Sequence, residues 1–493
     1  MTRRSSIRFI FRGAPVEIFD APPRETLLDW LRVQKRATGT KEGCAEGDCG
    51  ACTVVLARIR EGQLVHEPVN ACILLLGQAD GAEVLTVEDL ADGSTPHPLQ
   101  DAMVRHHASQ CGFCTPGIVM SLFALQHDGA RPVTRDDVCD QLAGNLCRCT
   151  GYRPIVDAAL EVCAAPVEDQ FNRAEKSRRV AIEALADGVD IMVGDAHAFF
   201  AAPASEDAFA TLYADHPDAL IVSGATDVGL WITKGLRDPR KIIWTGRIAG
   251  FDAVDRGVEG LSLMAGVRLD KAAPALAAVH ADLGEIMRRF GSTQVRASGT
   301  VGGSIANGSP IGDLAPCLIA LGGRVELRKG NSARELPLED FFIAYRKQDR
   351  APGEFVRRLT VPALAPSSAF RAFKISKRFD EDISAVLGAF HLTLDGRRVA
   401  AARIAYGGMA GTPARAPRTE AACVGLDLDA ESTWSVALDA LAADYAPLSD
   451  MRASSAYRSL VARNLLRKAF MEIGGADIEK TRLARRGWAH AAE

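Results

Sequence analysis

Eight of the twelve cysteines fall into two quartets. Cys44, Cys49, Cys52 and Cys72 read C-x4-C-x2-C with a distant fourth Cys, the spacing that ligates a 2Fe–2S cluster. Such a cluster carries net negative charge and needs backbone N–H groups aimed at its sulfurs. Gly43, Gly47 and Gly50 flank the ligands and let the loop wrap and turn its amides inward. Zinc favours CxxC-like pairs and fits this loop poorly. The second quartet is Cys111 and Cys114 with Cys147 and Cys149. Its two close pairs suit a cluster or zinc, and Cys139, eight residues before Cys147, competes as a ligand. The Cys111–Cys114 pair stands where a helix starts, and a helix N-terminus favours thiolate and cluster charge. Two clusters in series imply a wire that serves a catalytic centre.

The elements that must hold these residues are short. Residues 7–19 read as a hairpin turning at Gly13-Ala14-Pro15. An amphipathic helix follows, with Leu27, Leu28 and Leu31 on one side and Thr26 as N-cap. Strands at Thr53–Leu56 and Val84–Val87 complete a small β-grasp unit. Helices are expected at Leu99–His107, Gly117–His127 and Ile155–Cys163, with Pro116 and Pro154 at helix starts. Residues 164–190, rich in Ala and charge, read as a connector. From about 191 onward β-like runs and helices alternate, as in an α+β domain. A further α+β unit begins near Phe370, with strands at Ser384–Leu394 and Val399–Tyr406 and a closing helix at Arg458–Met471.

A chain of 493 residues needs three or four domains. Its 47% apolar and 24% charged content is that of a soluble globular protein. A net charge of −4 gives no basic surface for nucleic acid, and the run Lys176-Ser177-Arg178-Arg179 reads as a solvated helix face. Arg8 and Arg12 interrupt any export signal behind Arg3-Arg4, and no stretch reaches the ~18 apolar residues of a membrane span. The cytoplasm is therefore expected, where clustered thiols are metal ligands before they are disulfides. Cys139, Cys163, Cys317 and Cys423 are left over as small hydrophobes. His106 and His107, adjacent on a helix, point apart and read as surface residues.

Three segments carry a resemblance: Lys41 to Cys52, Gln110-Cys111-Gly112-Phe113-Cys114-Thr115-Pro116-Gly117, and Cys147-Arg148-Cys149-Thr150-Gly151-Tyr152. Together they closely resemble the iron–sulfur half of the molybdenum hydroxylases, a family that includes xanthine dehydrogenase, aldehyde oxidase and carbon monoxide dehydrogenase. The resemblance assigns the second quartet to a 2Fe–2S cluster and leaves Cys139 outside it. It continues into Val222-Ser223-Gly224-Ala225-Thr226-Asp227-Val228 and Gly299-Thr300-Val301-Gly302-Gly303-Ser304-Ile305, which look like the family's two flavin loops. Neither has the G-x-G-x-x-G form of a Rossmann site. Carried over, FAD would meet Ile221, Val222, Ser223, Gly224, Ala225, Thr226, Asp227 and Val228 in the first loop. The second would supply Thr300, Val301, Gly302, Gly303 and Ser304, with Phe290, Asp313, Val356 and Lys374 as further contacts. The residues alone read otherwise: Phe290 and Val356 as core, Asp313 as a helix cap, Lys374 as a solvated charge. The family usually has Asn where this chain has Ala225 and Ser304, and the acidic run Asp380-Glu381-Asp382 matches a stretch near the flavin's reactive edge.

The implied fold is α+β multidomain. A plant-type 2Fe–2S ferredoxin domain of β-grasp form spans 1–92 and a four-helix 2Fe–2S domain 93–165. A linker (166–190) leads to an α+β FAD-binding domain of the vanillyl-alcohol-oxidase type (191–368) and a C-terminal flavoprotein domain like that of carbon monoxide dehydrogenase (369–493). The fusion of clusters and flavin, ending at Glu493, resembles the small subunit of bacterial xanthine dehydrogenases. That implies a molybdopterin-binding large subunit as partner, two copies of each chain, and NAD⁺ as acceptor. No acid, base or nucleophile here would perform the substrate chemistry, so no catalytic residue is expected. An aldehyde or N-heterocycle hydroxylase subunit, or a stand-alone iron–sulfur flavoprotein reductase, are the other readings.

Overall fold

A computed structural model describes residues 3–129, 132–165 and 168–482. The chain forms two compact units, Met1–Ala249 with Ser292–Gly299, and Gly250–Gly291 with Thr300–Glu493.

The first unit opens on a five-stranded sheet in the order Ala14–Ile18, Ile7–Phe11, Glu83–Leu85, Thr53–Arg60, Gln63–Asn70. The hairpin turns at Arg12-Gly13, one residue earlier than expected. Both residues have positive φ (53° and 70°), the two-residue turn whose twist matches the strands it joins. Thr26 does cap the next helix, its side chain accepting from Asp29 N–H. Only Leu27–Asp29 is α-helical; Trp30–Gln34 continues as a π-turn closed by Lys35 N–H to Trp30 O at 3.0 Å. Trp30 has Phe9 and Phe11 against it edge-on, at 5.0 and 5.3 Å between ring centres.

Four helices form the second lobe: Pro98–Arg105, Thr115–Gln126, Arg135–Leu142 and Arg153–Val162. Gly117–Leu125 is buried throughout, because the other helices surround an element apolar on all sides. The helix Arg135–Leu142 escaped the pattern reading, although Thr134 and Asp137 spell its capping box. Cys139 lies exposed on it, unlike the other three spare cysteines, which are buried.

The expected connector is largely helical, at Gln170–Arg173 and Glu175–Glu183. Arg178 is not the solvated charge expected: its side chain is 10% exposed, paired with Glu83 at 2.8 Å and set over Phe171. A second sheet runs Arg3–Arg4, Asp190–Gly194, Phe199–Ala202, Lys241–Trp244, Leu220–Val222. The doubtful Arg3-Arg4 pair is thus a strand, parallel to Asp190–Ile191. Arg4 grips Asp80 with two bonds (2.9 and 3.0 Å), and Arg247 joins the same carboxylate at 2.5 Å.

The second unit contains a five-stranded sheet, Val254–Gly257, Gly260–Met264, Phe355–Pro362, Arg324–Lys329, Ser332–Pro337. Beyond it, Ser368–Ile375, Val386–Asp395, Arg398–Gly407 and Ala414–Arg415 form an antiparallel sheet. The helix Ser455–Ile473 supplies Leu465, Leu466 and Phe470 to a core with Phe390 and Tyr406 of that sheet.

Candidate functional site

The first quartet sits in the loop before strand Thr53–Arg60 and just after strand Gln63–Asn70. Its thiols touch in the chain Cys49–Cys44–Cys72–Cys52. The Cys49 and Cys72 thiols donate to Cys44, and the N–H groups of Glu46 and Cys49 reach its Sγ at 3.4 Å; together they hold this thiol far below its ordinary value. Gly47 and Gly50 take positive φ (77° and 67°), and a Cβ on Gly43 would come within 2.8 Å of Cys49 Sγ. The loop does wrap its amides around sulfur, as its glycines permit.

The second quartet forms two thiol contacts, Cys111 with Cys149 and Cys114 with Cys147. Burial first and the Cys147 thiol second push Cys114 up to about 12. The Cys147 sulfur meets the Thr150 hydroxyl at 3.1 Å, and Cys147 N–H donates to the Tyr152 phenol oxygen at 2.8 Å. Cys111 and Cys149 are exposed, beside exposed Phe113 and Leu146.

Each quartet has the donor set of a 2Fe–2S cluster: four thiolate-forming ligands, the first set touching in a chain and the second in two pairs, with N–H or O–H groups reaching the sulfurs. Thiols so arranged suit two irons better than one tetrahedral zinc.

The quartets are one hydrogen bond apart, since Leu146 N–H donates to Cys49 O at 3.0 Å. Around that bond the lobes interlock closely. A Cβ on Gly50 would lie 2.1 Å from Gly144 O, and one on Gly117 2.1 Å from Gly50 O. Asn145, 1% exposed, donates to Gly50 O and accepts from Ser121 Oγ (2.6 Å) and Gln294 Nε2 (2.9 Å). Gln294 lies on the helix Thr293–Ser298, which no motif had pointed to. Asn145 and Gln294 are the polar residues that sequence reasoning missed; an uncharged amide has no spacing signature.

The first glycine-bearing loop links strand Leu220–Val222 to the short helix Val228–Thr233. Ser223 O takes N–H groups from Gln78 (3.0 Å) and Trp244 (3.1 Å). Gly224 is pressed on Ser298 O, which a Cβ would approach to 2.1 Å. Ala225 is buried at φ 61°, a left-handed conformation that Asn tolerates and that costs Ala roughly 1–2 kcal/mol. Thr226 is half-buried and Asp227 exposed.

In the second unit Thr300 caps the helix Val301–Asn307. The N–H groups of Val301, Gly302, Gly303 and Ser304 are all taken, by Val267 O, Ala265 O, Thr300 Oγ and Thr300 O. Glycine there serves backbone contact: a Cβ on Gly302 would lie 2.4 Å from that of Ala265. The second loop thus offers its hydroxyls, while its amides serve the contacts just given. Lys374 is no solvated charge, being 5% exposed with Nζ 2.5 Å from Asp313 Oδ2. Ser384 Oγ donates to the other Asp313 oxygen. Asp313 occupies the N-cap of Leu314–Ala320 but makes no capping bond; its side chain turns to Lys374 and Ser384. Val356 is buried in strand Phe355–Pro362 and Phe290 half-buried. Arg288 pairs with Asp380 at 3.7 Å, and Arg289 stacks on Phe379 at 4.4 Å. His106, half-buried, contacts Glu161, and His107 is exposed.

Comparison with known proteins matches these segments in the same order. Residues 12–76 match a 2Fe–2S iron–sulfur cluster binding domain, and 86–160 a [2Fe–2S] binding domain. Residues 193–364 match the FAD binding domain in molybdopterin dehydrogenase, and 371–473 the CO dehydrogenase flavoprotein C-terminal domain. Among curated relatives, xanthine dehydrogenase of Drosophila pseudoobscura pseudoobscura is 32% identical over 96% of this chain and 39% of its own length. Xanthine dehydrogenase of Emericella nidulans is 30% identical over 89% and 36%. The chain thus spans about two fifths of the length of the curated relatives it matches. Solved structures share the fold: a Cu,Mo-CO dehydrogenase (TM-score 0.52, 24% identity, 56% of this chain and 96% of that one) and quinoline 2-oxidoreductase from Pseudomonas putida 86 (0.52, 24%, 57% and 97%).

Proposed function

Because this chain belongs to the molybdenum hydroxylases, as their iron–sulfur and flavin part, we propose that it is the electron-transfer subunit of a xanthine dehydrogenase. In this reading Cys44, Cys49, Cys52 and Cys72 hold one 2Fe–2S cluster, and Cys111, Cys114, Cys147 and Cys149 the other. FAD lies on Ile221–Val228 and Thr300–Ser304, with Phe290, Asp313, Val356 and Lys374 as further contacts. When bound, the clusters pass single electrons, and FAD collects two and exchanges hydride with a nicotinamide. The electrons come from a molybdopterin-binding large subunit that oxidises hypoxanthine and xanthine to urate, and NAD⁺ takes them. The assembly holds two copies of each chain and works in the cytoplasm; among the described residues no helix is long and apolar enough to cross a membrane. The domains run 1–92, 93–165, 191–368 and 369–493, with 166–190 between the second and third.

The observation that carries this reading is the continuity of the first unit. The second quartet is bonded to the first through Leu146 and Cys49, and the residues after Cys72 bond to the first flavin loop through Gln78 and Ser223. Within the chain, backbone amides and hydroxyls steady the sulfurs, while Gly50 and Gly117 let the loop backbones come into contact.

The test is an anaerobic visible spectrum of the purified chain before and after NADH. Joint bleaching of flavin and iron–sulfur absorption is expected. If both chromophores are present and stay oxidised, NAD⁺ is not the acceptor. Turnover of xanthine, an aldehyde or an N-heterocycle by the chain reconstituted with its molybdenum partner separates the substrate classes.

A further inference from the structure

Three contacts in the first unit join the loop of the first quartet to the first flavin loop. Gly229 is buried in the helix Val228–Thr233, where a Cβ would lie 2.5 Å from Ile73 Cβ and 2.7 Å from Ile73 O. Ile73 directly follows the ligand Cys72. Gln78, 3% exposed, takes Leu75 N–H on its Oε1 and donates its Nε2–H to Ser223 O at 3.0 Å. The Thr233 hydroxyl stands 2.6 Å from the carbonyl of Ala45, next to Cys44, and 2.9 Å from Gly229 O. Cys52, Cys72 and Ile73 share one hydrophobic core with Val222, Ala225, Val228 and Ile232.

Gly229 is a glycine without a conformational reason. It has no positive φ, and inside a helix Gly is less favourable than Ala. What excludes a larger residue is the backbone of Ile73. Gln78 is likewise a buried amide whose two ends are spent on the turn after Cys72 and on the flavin loop, where an apolar residue would leave Ser223 O one donor poorer.

We propose that Gly229, Gln78 and Thr233 are positioning residues that set how near the cluster loop stands to the first flavin loop, and so how fast an electron passes between the two groups. The proposal rests on the cluster and FAD assignments above. In the step it concerns, the cluster loses one electron and the flavin gains one; no bond forms or breaks within the chain, and any proton the flavin takes comes from solvent.

The test compares wild type with Gly229→Ala, Gln78→Leu and Thr233→Val, each as full chain loaded with iron, sulfide and FAD. Flash-generated deazaflavin radical, with EDTA as sacrificial donor, supplies single electrons, and the equilibration of flavin and cluster absorbance is followed. Restoring the 2.5 Å contact to an ordinary 3.4 Å needs ~0.9 Å of separation, and electron tunnelling, which falls exponentially with distance, slows a few-fold over that displacement. Gly229→Ala is expected to slow equilibration by that much, and the other two by less, with iron content, flavin content and midpoint potentials unchanged. A second readout is hydrogen exchange of the amides of residues 44–51 in the flavin-free chain, expected to quicken in all three variants. Unchanged equilibration and exchange in variants that carry both cofactors overturn the proposal. Should Gly229→Ala not fold, Gln78→Leu and the isosteric Thr233→Val decide by the same two readouts. A wild-type chain that takes up no iron or no FAD overturns the underlying assignment instead.

Discussion

Lys374 and Asp313 show how far one residue's meaning depends on its surroundings. Both are nearly inaccessible, with side chains 2% and 7% exposed, and each is the other's countercharge. Removing one member of a buried pair leaves a charge with nothing to offset its desolvation, which costs about 3–5 kcal/mol; replacing both by apolar residues is often neutral. Lys374→Met is therefore expected to lower the stability of the second unit by about that amount, and Lys374→Met with Asp313→Leu to recover most of it. Urea unfolding of both variants checks this. Equal destabilisation in the single and double variants would show that the pair does not act as a unit. Flavin content separates stability from binding: if these side chains also hold FAD, the double variant refolds but stays low in flavin.

At the scale of elements, the connector helices are tied to the two cluster lobes by a buried polar cluster. Asp169 Oδ2 lies 3.0 Å from both His97 Nε2 and His127 Nε2. His97 Nδ1 accepts from Leu99 N–H, so its proton sits on the nitrogen facing Asp169. Burial alone would raise the Asp169 carboxyl, but the two histidines and Asn172 N–H outweigh it and hold it low. His66 lies beside His127 at 4.8 Å between ring centres, and its Nε2 accepts from Arg178 at 3.3 Å. Burial first, then its neighbours His127 and Arg178, push His66 well below its ordinary value. The sign follows: below about pH 6.5 the unfolded chain binds a proton here that the folded chain refuses. Stability from this site is full above that pH and falls as pH drops, by up to about 1.4 kcal/mol per unit. His66→Phe is expected to shallow the decline of the urea midpoint between pH 7.5 and 5.5. His280 and His391, also lowered by burial, keep some of it. Parallel slopes in wild type and variant would remove His66 from the account. None of this cluster was legible in the chain, because its members lie far apart in sequence, His97 and Asp169 across 72 residues and His66 and Arg178 across 112, as Arg178 meets Glu83 across 95. The cysteine spacings were legible because ligation is local, and so were Pro116 and Pro154 near the starts of their helices. The strand at Arg3–Arg4 was not, since its partner lies 187 residues on.

On the scale of the molecule, the quartets are unequally embedded, and loss of each should be felt differently. Cys52 and Cys72 are 1% and 3% exposed and belong to the core that also holds Trp30, Val222, Val228 and Trp244. The second quartet offers Cys147 to the core of the helical lobe, while Cys111 and Cys149 face outward. Cys149→Ser thus disturbs a surface position, where substitutions usually stay within about 0.5 kcal/mol apart from the loss of the cluster itself. Cys72→Ser places a hydroxyl in a core that also supports the first flavin loop, at a cost of about 1–3 kcal/mol. The expected outcome is an asymmetry in bound cofactors. Cys149→Ser should lose half its iron and keep its full complement of flavin, whereas Cys72→Ser should lose iron and flavin together. Iron and acid-released flavin per chain, measured on the same preparations, decide it. Full flavin in Cys72→Ser would mean that the flavin loop holds its shape without the cluster core. Equal flavin loss in both variants would mean that the two lobes stand or fall as one, through Asn145, Gln294 and the bond from Leu146 to Cys49.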